Sequence, residues 1–268
     1  MKPNILITND DGITSPGITA LEKHLAPLGR LITVAPDREM SATSHRITVH
    51  QQVRYLSAGK DRFAVVEGSP ADCVILTSMQ ILKKPPSLVV SGVNRGWNLG
   101  DDINYSGTVS AAFEAALQGV PAIAVSTYAQ DKPEFVNAAK VVARLAERVL
   151  EHGLPPDVVL NVNFPQKWNG KVRVTRQGRQ TVRNTSGEKA GSAVGGYNWL
   201  FEKLSGGKAK AAKPAEHSKA DNAQMTDYAA VSAGYVSVSP LHLDRTAHFH
   251  LELFSGWTDH LAGDETSD

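Results

Sequence analysis

An apolar run, Ile5-Leu6-Ile7, ends in Thr8-Asn9, two adjacent carboxylates at Asp10 and Asp11, and Gly12. A continuous apolar strand followed by a turn and a helix reads as the first strand of a parallel sheet covered on both faces. In such sheets ligands bind beyond the carboxyl ends of the strands. The two acids therefore stand where an α/β enzyme carries its chemistry. Neighbouring carboxylates repel, and burial adds to the penalty. A hard divalent cation with oxygen ligands would offset both costs. Asn-Asp-Asp-Gly is equally a good solvated turn, so the remaining segments have to decide.

The same punctuation recurs through about residue 165. Ser15-Pro16 offers an N-cap and a first-turn proline, with Ile18, Leu21 and Leu25 on one helical face up to Gly29. Leu31–Ala35 reads as a strand, Asp37–His45 as a polar loop, and Ile47–Leu56 as an edge strand or hairpin arm. Phe63–Val66 is a further strand. Gly68-Ser69-Pro70-Ala71-Asp72 starts a helix running into Val74–Leu82, which Pro85-Pro86 breaks. Leu88-Val89-Val90 is a core strand, Ser91 to Gly107 a glycine-rich loop, and Val109–Leu117 a helix. Ala122–Val125 is a strand, Val136–Leu150 an amphipathic helix, and Val158–Val162 a strand ending at Asn163-Phe164-Pro165. Repeated β–α units with right-handed crossovers predict a doubly wound, Rossmann-like, mostly parallel α/β sheet.

Residues 1–165 form the expected catalytic core, and 166–268 a C-terminal extension. The extension holds hairpin arms (Val172–Arg176 and Tyr235–Val238), a lysine-rich stretch at 203–224 read as a solvated loop, and a terminal helix. That helix, within His248–Leu261, carries Phe249, Leu251, Leu253, Phe254 and Trp257, which would pack on the body or on a second subunit.

With 41% hydrophobic residues the 268-residue chain can bury a proper core. A formal net charge of +1 gives no general field for a nucleic-acid polymer or a membrane. The lone Cys73 excludes an internal disulfide and a multi-cysteine zinc site, and it fits a cytoplasmic setting. Met1-Lys2-Pro3-Asn4 enters a strand without the apolar region of a signal peptide, and no run reaches the ~20 apolar residues of a membrane span.

Three loops should reach the edge that carries Asp10 and Asp11: Asp37–His45, Ser91–Gly96, and Tyr105–Thr108 opening a helix. Helix N-termini present free N–H groups, so Ser106–Thr108 is a natural phosphate cradle. Asn94 can offer an amide oxygen and Ser41 a hydroxyl, completing an all-oxygen set suited to Mg²⁺, Mn²⁺ or Ca²⁺. Taken singly, Ser41 and Ser44 are ordinary loop hydroxyls, Asn94 a turn residue, Ser106 or Thr108 an N-cap, and His45 a loop histidine. Arg95 reads as a phosphate contact or as a partner of Asp101 or Asp102.

Ile5–Gly12, Val34–His45, Gly68–Val74, Ser91–Gly100, Ser106–Ala112, Asn161–Pro165 and Gly234–Leu241, taken in order, resemble the SurE family of nucleoside-monophosphate phosphatases. The resemblance implies a divalent-metal site (one Mg²⁺ or Mn²⁺ per subunit) at Asp10, Asp11, Ser41 and Asn94, with phosphate contacts from Asn98, Ser106, Gly107 and Thr108. It further implies a homodimer or homotetramer formed through the C-terminal part. Met40 stands where the family often has arginine, and 203–224 matches no motif.

The chemistry these residues suggest is metal-assisted hydrolysis of a phosphate monoester, with Asp10 and Asp11 catalytic and Asp10 the candidate base; the resemblance implies that the monoester is a nucleoside monophosphate. One alternative is a phospho-aspartyl phosphatase with Asp10 as nucleophile. Such enzymes space their acids one residue apart, whereas adjacent residues on a strand point to opposite faces. The other alternative is a nucleotide-binding regulatory module without turnover, which gains nothing from paired acids unless a metal is present.

Overall fold

The computed structural model describes residues 2–128, 132–179 and 225–258, so the lysine-rich stretch at 203–224 lies outside the described residues. Seven strands run β1 (Asn4–Thr8), β2 (Arg30–Pro36), β3 (Arg54–Gly59), β4 (Arg62–Val66), β5 (Leu88–Arg95), β6 (Ala122–Thr127) and β7 (Val158–Phe164). Helices α1 (Pro16–Leu25), α2 (Pro70–Leu76), α3 (Gly107–Leu117) and α4 (Lys132–His152) connect them. Beyond β7 come β8 (Val172–Val174), α5 (Asp227–Ser232), β9 (Val236–His242) and α6 (Leu251–Thr258).

The strands make one sheet in the order β3-β4-β2-β1-β5-β6-β7-β9-β8. Pairing is parallel from β4 through β2, β1, β5 and β6 to β7. The antiparallel pairs are β3 with β4 and β9 with β7, while β8 lies parallel to β9. The antiparallel arm of the C-terminal extension is thus β9 against the last strand of the core.

Alternation along β1 explains why its apolar run is continuous. Ile5 and Ile7 pack with Ile18, Leu21 and Leu25 of α1 and Val142 of α4, whereas Leu6 faces Cys73, Val74 and Val109 on the opposite side. The strand order reverses at β1, with β2 on one side and β5 on the other. That switch point opens a crevice beyond the ends of β1 and β5.

Local signals set the helix starts. Ser15 and Ser69 cap α1 and α2, and Ser69 forms a reciprocal capping box with Asp72. Two expectations need correction. Of the anticipated Ile47–Leu56 arm, only Arg54 onward is strand. Upstream, Asp72 takes both the backbone N–H and the hydroxyl of Thr48, and Ser69 donates to the carbonyl of Arg46. The start of α2 therefore claims the groups that a sheet edge would have used. The second correction is at β5, which continues to Arg95, so Asn94 and Arg95 end a strand rather than begin a loop.

The terminal helix forms within the expected segment, at Leu251–Thr258. Phe249, Leu251, Leu253, Phe254 and Trp257 are all exposed on the protomer, and Phe254 and Trp257 meet edge to face.

Candidate active site

Asn9 builds the turn that delivers the two acids. Its Oδ1 accepts the N–H of Gly12 at 3.1 Å, and its Nδ2 donates to the Gly12 carbonyl and to Ser15 Oγ. Gly12 has φ +97°, and a Cβ there would stand 3.2 Å from the Arg38 carbonyl carbon. β1 ends at Thr8, so the chain has left extended geometry before Asp10, and the two carboxylates part towards different neighbours. Asp10 turns to the start of α3, where Thr108 donates its hydroxyl to Oδ1 at 2.5 Å and its backbone N–H to Oδ2 at 3.2 Å. Asp11 accepts the backbone N–H of Arg95, at the end of β5, at 3.2 Å.

Burial holds the Asp10 carboxyl above the ordinary carboxylate range, against the opposing pull of the Thr108 hydrogen bonds. Asp11 is pushed up to about 7, by desolvation first and by the charge of Asp10 second. Glu39, on the loop after β2, adds repulsion to both. Among the described ion pairs none involves Asp10 or Asp11. The Arg95 charge pulls Asp11 the other way but is outweighed, and two acids that no described ion pair neutralises are a fit for a hard metal ion, since each carboxylate keeps acceptor capacity after its present hydrogen bonds. Asn94 strengthens that fit: its Nδ2 is fixed on the Gly96 carbonyl at 3.0 Å, which turns the amide oxygen away from that contact as an acceptor. No group of three or more His, Cys, Asp or Glu suited to a metal occurs among the described residues.

Ser41 sits differently. Its loop is fastened to the site by the Met40 N–H on the Asp10 carbonyl (2.7 Å) and by the Ser44 N–H on the Tyr105 carbonyl (3.1 Å). The Ser41 side chain itself is exposed and donates to Glu39 at 2.8 Å. His45 closes the far end of this loop onto α3, with Nε2 3.0 Å from Glu114 Oε2.

At the phosphate cradle, Ser106 is the N-cap of α3 and accepts the N–H of Val109 at 3.1 Å. Gly107 backs directly onto Asp10, because a Cβ there would lie 3.0 Å from Asp10 Cβ. The Thr108 N–H, expected for phosphate, is spent on Asp10. Asn98, 3% exposed, is clamped by Asn163 Oδ1 on its N–H and by the Asn161 and Asn163 amides on its carbonyl, while its Nδ2 donates to Ser126.

Three contributors escaped the sequence reading: Asn9, Glu39 and Asp227. Asp227, in the first turn of α5, accepts the N–H groups of Gly100 and Gly178 and anchors the loop that carries Asn98. Thr226-Asp227 is a cap followed by a first-turn acid, the one local signal that could have flagged it.

A family model described as survival protein SurE matches residues 5–184. The chain is 42% identical over 263 residues to the 5'-nucleotidase SurE of Citrifermentans bemidjiense, covering 94% of this chain and 98% of that one. It is 44% identical over 258 residues to the 5'-nucleotidase SurE of Syntrophotalea carbinolica, covering 95% and 97%. The crystal structure of the SurE protein from Aquifex aeolicus matches with a TM-score of 0.79 at 39% identity, covering 96% of this chain and all of that one.

Proposed function

Because this chain belongs to the survival protein SurE family, we propose that it is a phosphoric monoester hydrolase, converting nucleoside monophosphates to nucleoside and phosphate as a 5'/3'-nucleotidase. The observation that carries the reading is the paired Asp10 and Asp11, both raised and in none of the described ion pairs, beside the N-terminus of α3. A site for an anion alone would be weakened by two carboxylates, so the pair argues for a metal and against a passive nucleotide sensor.

Asp10, Asp11 and Asn94 would hold one Mg²⁺ or Mn²⁺, with Ser41 joining by turning from Glu39. When bound, such an ion supplies charge for a phosphoryl oxygen and acidity for a coordinated water. The remaining work falls to the chain. Ser106 Oγ and the Gly107 N–H present donors at the positive end of α3 to phosphoryl oxygens. The Asn98 clamp fixes the loop opposite. We assign to Asp10 the orienting of the attacking water and the taking of its proton. Both Asp10 oxygens already accept from Thr108, which favours an orienting base over a nucleophile. The exposed apolar residues of α6 would form a homodimer or homotetramer contact. No described helix is long and apolar enough to cross a membrane, and a cytoplasmic site of action accords with the lone, buried Cys73.

The test is phosphate release from adenosine and guanosine monophosphate with Mg²⁺ or Mn²⁺ against chelator, with acid quench in labelled water. Release that needs metal and leaves no acyl phosphate is expected. No release with either metal would favour the binding module, and a trapped acyl phosphate would favour the phospho-aspartyl route.

A further inference from the structure

Trp97 has surroundings that the phosphate cradle does not explain. Its indole Nε1 donates to the carbonyl of Phe164, the last residue of β7. Its ring meets that of Tyr128, just beyond β6, at 5.2 Å between centroids and 40° between planes. Both rings remain half-buried. They stand on the strand-end edge that carries Asp10, Asp11 and Asn94, and Trp97 directly precedes Asn98 in the chain.

We infer that Trp97, backed by Tyr128, is the shelf on which the base of the nucleotide stacks. The inference rests on the phosphate reading above and extends it to the leaving nucleoside. Along the edge, Asp11 is tied to β5, Asn98 to β6 and β7, and Trp97 to the end of β7. Neighbouring strands lie about 4.8 Å apart, so β5 and β7 are separated by about 10 Å. A ribose bridges that gap between a phosphate beside Asp11 and Asn94 at the end of β5 and a base over β7.

The chemistry of the shelf sets its selectivity. Indole has one donor, and Phe164 has taken it. The ring can therefore recognise a base only through its face, and stacking of that kind tolerates any base. Permissive use of all four nucleotides follows, with purines favoured by their larger ring area.

The experiment compares adenosine 5'-monophosphate with ribose 5-phosphate, which keeps sugar and phosphate but lacks the base, in the wild type, Trp97→Leu and Trp97→Phe. The ratio of the two KM values should rise about tenfold in Trp97→Leu and recover in Trp97→Phe, a size set by stacking on one aromatic face. A parallel rise for both substrates, as from a purely structural role, or no change in the ratio would overturn the shelf. A second arm measures adenosine binding by saturation-transfer NMR, which needs no hydrolysis. Binding to the wild type that is lost in Trp97→Leu supports the shelf even in a chain that releases no phosphate. Equal binding by both, or none by the wild type, overturns it.

Discussion

Asp227 accepts the backbone N–H of Gly100 at 2.7 Å across 127 positions of sequence. The same carboxylate accepts the N–H groups of Gly178 at 2.9 Å and of Tyr228 at 2.8 Å, and the Tyr228 hydroxyl donates to the carbonyl of Leu99. The start of α5 thereby grips the loop between Asn98 and Ser106. Burial keeps the Asp227 carboxyl above its ordinary range even against these three donors, so its place is set by geometry at an electrostatic cost.

Asp227→Ala should destabilise the fold by about 3 kcal/mol, because buried N–H groups are left without acceptors. Urea unfolding measures this directly. Gly100→Ala should behave similarly: Gly100 has φ +50°, and a Cβ would fall 2.4 Å from the Tyr228 ring. In both variants KM for a nucleotide should rise more than kcat falls, since the loop rather than the metal carboxylates is loosened. Unchanged stability in both would remove the assigned role of this anchor.

Asp11→Asn should lower kcat at saturating metal by about 100-fold or more, since one anionic ligand is lost. Circular dichroism and thermal melting should show an intact fold, because the variant removes a repelled charge and keeps an acceptor for the Arg95 N–H. Near-normal turnover at saturating Mg²⁺ or Mn²⁺ would exclude Asp11 as a ligand.

Thr108→Val removes the hydroxyl donated to Asp10 Oδ1 while leaving the backbone N–H on Oδ2. That hydroxyl lowers the Asp10 pKa, so its loss should make Asp10 still harder to ionise and move the acid limb of the pH–kcat profile upward. Thr108→Ser, which keeps the hydroxyl, should restore the profile. A limb that does not move in Thr108→Val would detach Asp10 from the observed ionisation.

Much of this arrangement was readable because its causes are local. Ser15, Ser69 and Ser106 cap helices that begin within a residue of where their side chains predict, and the alternation of Ile5, Leu6 and Ile7 reflects two covered faces. Asp10 and Asp11 stood out for the same reason, as adjacent acids at a strand end. The remainder depends on contacts between distant segments. Nothing near Thr48 announces that Asp72 will bond it, nothing near Thr108 that Asp10 will occupy its N–H, and nothing near Gly100 that Asp227 will arrive from beyond β8. The cap-and-acid patterns at Thr226-Asp227 and Ser69–Asp72 mark helix starts but say nothing of the distant backbone that each acid also anchors.

The raised carboxyls also fix how stability should respond to pH. An unfolded aspartate has a pKa near 3.9, whereas Asp11 in the metal-free fold is pushed up to about 7. Between those values the folded chain binds the proton more tightly than the unfolded chain, so Asp11 costs stability as pH rises through that window. A divalent cation binds the ionised pair and reverses the cost. The melting temperature in chelator, taken relative to Asp11→Asn, should therefore fall from about pH 4 to about pH 7 and level off above it, while the increment on adding Mg²⁺ or Mn²⁺ grows over the same range. Screening calorimetry across that range checks both trends, and a metal increment that is flat with pH would mean that the cation is not competing with protons at this pair.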